Sequence, residues 1–216
     1  MDIGILGAAT VGRALARRLA DAGHDVVIAN SRGPESLHDV ITQLGNRVAA
    51  GHITDALTNP VVILAVPWTR IRDVLTPEID WRGRVLIDAT NIFTSYAPAF
   101  EVDDLGEDSG SEIVARLAPS ARVVKAFNTV PFDALFAPPP ADGLRRVLFV
   151  AGDDPDAVGI AQDLVSNIHL HPVPIGSLAA GGRLMQLGGS LSGLELFCMA
   201  DASSAESAVD GGMERT

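Results

Sequence analysis

The stretch "GILGAATVGRALARRLADAGHDVVIANSRG", residues 4–33, decides the fold. Residues 3–6 predict a strand, residues 11–22 have helical spacing, and residues 25–29 predict a second strand. The first strand and the helix are joined by a G-x-A-x-x-G turn, which consists of Gly7, Ala8, Ala9, Thr10, Val11 and Gly12. This context predicts a dinucleotide-binding unit, because the helix N-terminus binds the diphosphate. The alternative is a tight turn in a flavodoxin-like domain that binds no ligand.

The rest of the chain repeats this alternation of apolar runs and helical periodicity. Further strands are predicted at 47–50, 61–66, 84–88, 122–126, 146–150 and 172–175, and further helices at 35–44, 111–117 and 155–168. The alternation predicts the α/β class, a Rossmann-type doubly wound parallel sheet whose strand C-termini share one edge. Residues 91–110 and 136–143 are predicted to be loops.

The predicted domain organisation follows the same pattern. We expect an NAD(P)-binding Rossmann domain over residues 1–176 and a short C-terminal segment over residues 177–200 that covers the site or a dimer contact. Residues 201–216 are rich in Ser, Ala, Gly and acidic residues, which predicts a disordered tail.

Composition narrows the classes of function and location. A net charge of −11 would repel nucleic acid, so we expect no nucleic-acid partner. No apolar run is long enough for a membrane span, and the first residues lack the basic region of a signal peptide. Cys198 is the single cysteine, which indicates a reducing, cytoplasmic location. The scattered histidines lack the spacing of metal ligands, so we expect no metal site.

The residues after the second strand indicate which dinucleotide binds. An NAD site usually has an acidic residue here that binds the ribose hydroxyls, whereas this chain has Asn30, Ser31 and Arg32. A serine hydroxyl and an arginine fork both bind phosphate oxygens, which favours NADP(H). The alternative is that Arg32 only decorates an exposed loop.

Three further loops follow predicted strands and should converge near the nicotinamide. The candidate cofactor-binding residues in them are Ala65, Val66, Pro67, Trp68, Asn91 and Asn128. Two alternatives remain open at this stage: Trp68 could pack in the core, and Lys125 could pair with Asp88 rather than contact a ligand. No residue is assigned a catalytic role, because no acid–base group stands out and Tyr96, the single tyrosine, has no lysine four residues later.

A nicotinamide site without an evident proton donor favours a particular kind of second substrate. Hydride transfer between two bound heterocycles depends mainly on stacking and distance. A flavin-like ring therefore suits this site better than an alcohol does.

Six segments carry a family resemblance: "VVIANSRGPESL", "VVILAVPW", "VLIDATN", "ARVVKAFNTVP", "VAGDDPDA" and "GSLAAGGRLMQ". In this order, over residues 2–187, they resemble the NADPH-dependent F420 reductases (F420:NADP oxidoreductases). A similar module is the cytosolic NADPH-binding domain of membrane ferric reductases. The chain departs from the family in Ala9, which replaces a glycine, and in a short, glycine-rich C-terminal region.

The resemblance implies hydride exchange between NADP(H) and coenzyme F420 in a homodimer. It implies that residues 7–12 bind the diphosphate, that Ser31 and Arg32 bind the 2′-phosphate, and that residues 65–68 flank the cofactor. Two other functions stay open: NADPH-dependent reduction of a flavin, quinone or ferric chelate, and a non-catalytic NADP-binding redox sensor.

Overall fold

The computed structural model describes residues 1–95 and 99–199. The predicted tail and Tyr96 lie outside the described residues. The strands are β1 (Asp2–Leu6), β2 (Asp25–Ala29), β3 (Val48–Gly51), β4 (Val61–Leu64), β5 (Val85–Asp88), β6 (Phe93–Ser95), β7 (Glu101–Val102), β8 (Arg122–Lys125), β9 (Leu144–Gly152), β10 (His171–Pro174) and β11 (Phe197–Met199).

The helices lie between these strands and include several short ones. They are α1 (Thr10–Asp21), α2 (His38–Leu44), α3 (Ile53–Leu57), α4 (Ile71–Val74), α5 (Gly110–Leu117), α6 (Phe132–Leu135), α7 (Pro155–Asn167) and α8 (Ala180–Met185). Short 3-10 helices at Pro34–Leu37 and Trp68–Arg70 precede α2 and α4. Within the described part of the chain, no helix is both long and apolar enough to cross a bilayer.

The main sheet confirms the predicted doubly wound architecture. Its order is β3-β2-β1-β4-β5-β8-β9-β10, and the six strands from β3 to β8 in this order are parallel. All four residues of β4 and all four of β5 are buried, as expected when helices cover both faces of a parallel sheet. Helices α1 and α7 pack on one face, and α3, α4 and α5 pack on the other.

Two strands run against the predicted direction. Strand β9 is antiparallel to β8, and β10 is parallel to β9, so the expectation that all strand C-termini share one edge is wrong for β9 and β10. The β8–β9 connection contains only the four-residue helix α6. A parallel return would need a longer crossover, usually a full helix on the sheet face.

The segment after β10 packs against the ends of β5 and β8. The amide of Gly193 donates to the carbonyl of Thr129 at 2.7 Å, and Asn128 Nδ2 donates to the carbonyl of Met185 at 2.8 Å. Ser109 Oγ donates to the carbonyl of Leu178 at 2.9 Å. Residues 177–199 therefore lie at the sheet edge where the parallel strands end.

Residues 91–110, predicted to be a loop, contain a hairpin. Strands β6 and β7 pair antiparallel, with Phe93 opposite Val102. Apolar periodicity misses such elements, because strands of two or three residues are shorter than the window it needs.

Candidate active site

Two cavities open at the C-terminal edge of the parallel strands and meet at the phosphate loop. The central cavity has a volume of about 570 Å³ and lies above the ends of β4, β5 and β8. The arginine cavity has a volume of about 420 Å³ and lies between the loops that follow β2 and β4. Residues lining both cavities are Ala9, Ala65, Val66 and Pro67.

The phosphate loop needs both of its glycines for steric reasons. Gly7 has a φ of +113°, and a Cβ there would lie 2.3 Å from the carbonyl oxygen of Ala65. A Cβ on Gly12 would lie 1.9 Å from the carbonyl oxygen of Gly7. The loop therefore packs directly on the β4 end, and α1 begins at Thr10 with no side chain capping its amides. These free amides and the helix dipole favour an anion at this point.

The alanine in the middle of the motif fits the loop without strain. Ala9 has φ −85° and ψ −167°, an extended conformation that any L-residue adopts. It is exposed, and it lines both cavities. The replacement of glycine by alanine therefore adds a methyl group to the cavity wall and costs the protein nothing in backbone conformation.

The loop after β2 is shaped by Asn30, which lets the next two residues line the arginine cavity. Asn30 Oδ1 accepts from the Arg32 amide at 2.8 Å, and Asn30 Nδ2 donates to Ser36 Oγ at 2.9 Å. Ser31 and Arg32 are exposed. Asn30 thus holds the loop in place, while Ser31 and Arg32 provide the hydroxyl and the guanidinium.

Sequence reasoning missed two further arginines of this cavity, Arg13 and Arg70. Arg13 Nε donates to the carbonyl of Ala8 in the phosphate loop at 2.7 Å. Arg70 Nε forms an ion pair with Asp73 at 3.0 Å. Both arginines line the cavity. Their positions in the sequence could have identified them, because each arginine lies in the first turn of the helical segment that follows a predicted site loop.

The central cavity is lined by apolar and neutral polar groups. In the described part of the chain its lining contains no acid, lysine, arginine, histidine, cysteine or tyrosine. Asn91 Nδ2 donates to the carbonyl of Asn128 at 3.0 Å, and Asn128 Nδ2 lies 3.2 Å from Asn91 Oδ1. The predicted loop residues Asn91 and Asn128 are therefore brought together. Phe93 and Leu187 also line the cavity and were not predicted.

Two buried polar atoms of this cavity lack a protein partner. Asn128 Oδ1 and Thr129 Oγ1 make no hydrogen bond to any described residue, although Asn128 is 5% exposed and Thr129 is 1% exposed. A buried polar atom without a partner is costly, by about 1–3 kcal/mol. Phe127, just before them, has a φ of +66°, which is unfavourable for a bulky residue. This strained turn lies at the wall of the central cavity, but the two unsatisfied atoms are themselves shielded from its open space.

A buried ion pair supports the floor of the central cavity. Lys125 Nζ lies 3.0 Å from Asp88 Oδ2 and also donates to the carbonyl of Thr90. Asp88 further accepts from the Thr90 amide and hydroxyl at 2.9 and 2.7 Å, and from Ser111 Oγ at 2.6 Å. Lys125 therefore pairs with Asp88, which was the alternative to contact with a ligand.

Trp68 lies in the core rather than among the residues lining either cavity. It is 4% exposed, and its indole Nε1 donates to Asp103 Oδ2 at 2.7 Å. These contacts support the alternative that Trp68 packs in the core and anchors the segment near β7.

The comparisons with known proteins agree with this fold. A structure of a hypothetical protein from Sinorhizobium meliloti is 43% identical, with a TM-score of 0.84, over 92% of this chain and 96% of that one. A protein proposed to be an F420-dependent NADP reductase from Arthrobacter is 28% identical, with a TM-score of 0.66, over 82% of this chain and 86% of that one.

A curated relative matches most of this chain. The metalloreductase STEAP3 of Rattus norvegicus is 31% identical over 179 residues, which are 82% of this chain and 34% of that protein. The chain thus spans about a third of the length of this relative.

The fold places the chain in the Rossmann class of α/β proteins. The family model described as "NADP oxidoreductase coenzyme F420-dependent" matches residues 2–92, and this part of the chain belongs to that family.

Proposed function

We propose that the chain transfers a hydride between NADP(H) and coenzyme F420. The observation that carries this proposal is the central cavity, whose described lining offers stacking surface and neutral polar groups but no titratable side chain. Such a lining suits two flat redox rings held face to face better than a carbonyl or alcohol substrate, which needs a positioned proton donor. The family match supports the same pair of substrates.

The described residues fit NADP(H). Residues 7–12 and the uncapped amides of α1 suit the diphosphate, and Ser31 with Arg32 suits the 2′-phosphate. Asn91, Asn128 and Thr129 line the central cavity and provide neutral polar surroundings for the nicotinamide ring. When bound, the cofactor supplies or accepts the hydride at its nicotinamide ring.

The work of the protein in this proposal is positioning and exclusion of water. Val66 and Pro67 line the junction of the two cavities, where they would separate the diphosphate from the ring. Phe93 and Phe127 provide aromatic surface around the central cavity. Reduction of the deazaflavin consumes one hydride and one proton, and we assign the proton to solvent because no described lining residue titrates.

A second candidate function is NADPH-dependent reduction of another acceptor, such as a flavin, a quinone or a ferric chelate. The observation that favours it is the 31% identity to the rat metalloreductase over most of this chain. The matched region is 34% of that protein, so its acceptor site need not lie within this region.

Rapid mixing of the chain with NADPH and F420 tests the proposal directly. We expect loss of absorbance near 420 nm with stoichiometric NADPH oxidation. Parallel reactions with riboflavin, a quinone and a ferric chelate are expected to be much slower. Turnover with one of these acceptors and none with F420 would establish the second candidate, and binding of NADPH without turnover would indicate a redox sensor.

Arg32→Ala is expected to weaken the binding of NADPH by about 1.5–3 kcal/mol, or roughly 10- to 150-fold, because a charged partner of the 2′-phosphate is lost. NADH, which lacks the 2′-phosphate, should bind the variant and the parent equally. Calorimetric titration of both cofactors measures this difference. The control is Arg47→Ala, since Arg47 is exposed and pairs with Asp25 instead of lining the cavity. Equal losses of affinity for NADPH and NADH would show that Arg32 does not bind the 2′-phosphate.

Thr129→Val is expected to leave the free energy of unfolding unchanged or to raise it slightly. The substitution removes a buried hydroxyl that has no protein partner and nearly preserves shape. The same change should leave the affinity for NADP(H) unchanged, because the hydroxyl is shielded from the cavity. Denaturant unfolding and calorimetry measure the two quantities. A clear loss of stability would show that the Thr129 hydroxyl is not an unsatisfied group in the folded protein.

We also propose a cytoplasmic homodimer in which residues 177–199 contribute to the contact. Leu184, Leu194, Leu196 and Met199 are large apolar residues of this segment that are 40–74% exposed. The proposal assigns these side chains to the contact, because burial against a second copy would remove their apolar surface from water. Sedimentation at micromolar concentration tests the proposal, and a monomer at all concentrations would exclude it.

A further inference from the structure

The geometry points to Arg70 as a second specificity-determining cation, which binds the 2′-phosphate from the wall opposite Arg32 and is tuned by Asp73. This inference rests on the proposed use of NADP(H). It assigns a role to a residue outside the phosphate loop and outside the loop after β2, the two places where sequence reasoning located the phosphate contacts.

The sheet order places Arg70 across the cavity from Arg32. Strand β1 lies between β2 and β4 in the sheet, so the loops after β2 and β4 flank the phosphate loop from opposite sides. Arg32 comes from the first of these loops and Arg70 from the second, and both line the arginine cavity. A phosphate bound beside the loop after β2 would therefore lie between two guanidinium groups.

The ion pair of Arg70 with Asp73 is a weak, exposed contact that leaves the Nη atoms of Arg70 available to a phosphate. The two side chains are 62% and 56% exposed, and the contact uses Nε. The structure records no hydrogen bond from either Nη of Arg70 to a described residue. Exposed pairs of this kind contribute about 0–1 kcal/mol, whereas a phosphate can accept two parallel hydrogen bonds from a guanidinium. Arg70 can thus keep Asp73 on Nε and present Nη atoms to the ligand.

The charges in the cavity explain why Arg70 is needed. The described lining contains Arg13, Arg32 and Arg70 and one acid, Asp73. On a chain with a net charge of −11, an unpaired Asp73 beside a phosphate would repel it. Arg70 therefore acts twice, because it attracts the phosphate and neutralises the acid that would oppose it.

The test is a set of variants titrated with NADPH, NADH, 2′,5′-ADP and 5′-AMP. Arg70→Ala should lower the affinity for NADPH and 2′,5′-ADP at least tenfold. It should change the affinity for NADH and 5′-AMP less than twofold. Asp73→Asn should tighten NADPH about two- to fivefold, and Arg70→Ala/Asp73→Asn should recover part of the loss. Arg72→Ala is the matched control, because Arg72 is an exposed arginine two residues further along, in α4, and does not line the cavity. Thermal unfolding checks that each variant folds.

Two results would overturn the inference while leaving NADP(H) as substrate. One is an equal loss of NADPH and NADH in Arg70→Ala, which would mean that the guanidinium contacts the adenine or only shapes the loop. The other is an affinity for 2′,5′-ADP that is the same in Arg70→Ala as in the control Arg72→Ala. If the parent protein itself binds neither NADPH nor 2′,5′-ADP, the proposed function fails, and the role of Arg70 fails with it.

Discussion

Lys125→Met should lower the free energy of unfolding by about 3–5 kcal/mol, because it leaves the carboxylate of Asp88 buried without a cation. Asp88 is 0% exposed and Lys125 is 1% exposed, so water cannot replace the lost partner. The remaining donors, Thr90 and Ser111, are neutral and offset only part of the charge. Urea unfolding of the variant measures the change through the transition midpoint.

The matched control for this prediction is Arg47→Met. Arg47 makes an ion pair of similar length with Asp25, 2.9 Å, but both side chains are about half exposed or more. Its loss should cost less than about 1 kcal/mol. Asp88→Asn/Lys125→Met should recover part of the stability lost in Lys125→Met, because it removes the stranded charge. Similar small losses in Lys125→Met and Arg47→Met would show that the buried pair does not support the cavity floor.

Gly12→Ala is expected to abolish measurable binding of NADPH and NADH alike. A Cβ at residue 12 would lie 1.9 Å from the carbonyl oxygen of Gly7, so the phosphate loop must move away from α1. The amides that would bind the diphosphate then lose their common geometry. Because the diphosphate is present in both cofactors, the loss should not depend on the 2′-phosphate.

Gly159→Ala controls for the general effect of adding a methyl group to a helical glycine. Gly159 lies inside α7, and a Cβ there would have no neighbour within 4 Å. This variant should gain about 0.5–1 kcal/mol of stability, since alanine favours helices over glycine, and should bind NADPH normally. Calorimetry and thermal unfolding compare the two variants. Wild-type affinity in Gly12→Ala would contradict the steric account of the loop.

The central part of the fold was predictable because local signals agree with one another. The G-x-A-x-x-G turn, the uniformly apolar runs at β4 and β5, and the strand–helix alternation all require the same doubly wound sheet. The direction of β9 was not predictable, because an apolar run has the same composition in either direction. The direction depends on the connection at residues 126–143, whose single four-residue helix is too short for a crossover on the sheet face.

Residues of the candidate site were predictable where the position of the backbone alone places them at a cavity. They were less predictable where the direction of the side chain determines whether they line it. Ser31, Arg32, Asn91 and Asn128 follow strand ends, and the fold brings them to the cavities, while their binding of a cofactor stays a prediction. Trp68 also follows a strand, but its ring turns into the core to meet Asp103. Arg13 and Arg70 were overlooked because sequence spacing does not tell which face of a short helix borders a cavity.

The most direct test of the central claim is the calorimetric titration of the unmodified chain with NADPH and with NADH under identical salt and pH. The claim is that Ser31 and Arg32, in place of an acid after β2, select the 2′-phosphate. It predicts that NADPH binds at least tenfold more tightly than NADH, or about 1.4 kcal/mol. Equal affinities, or a preference for NADH, would contradict it.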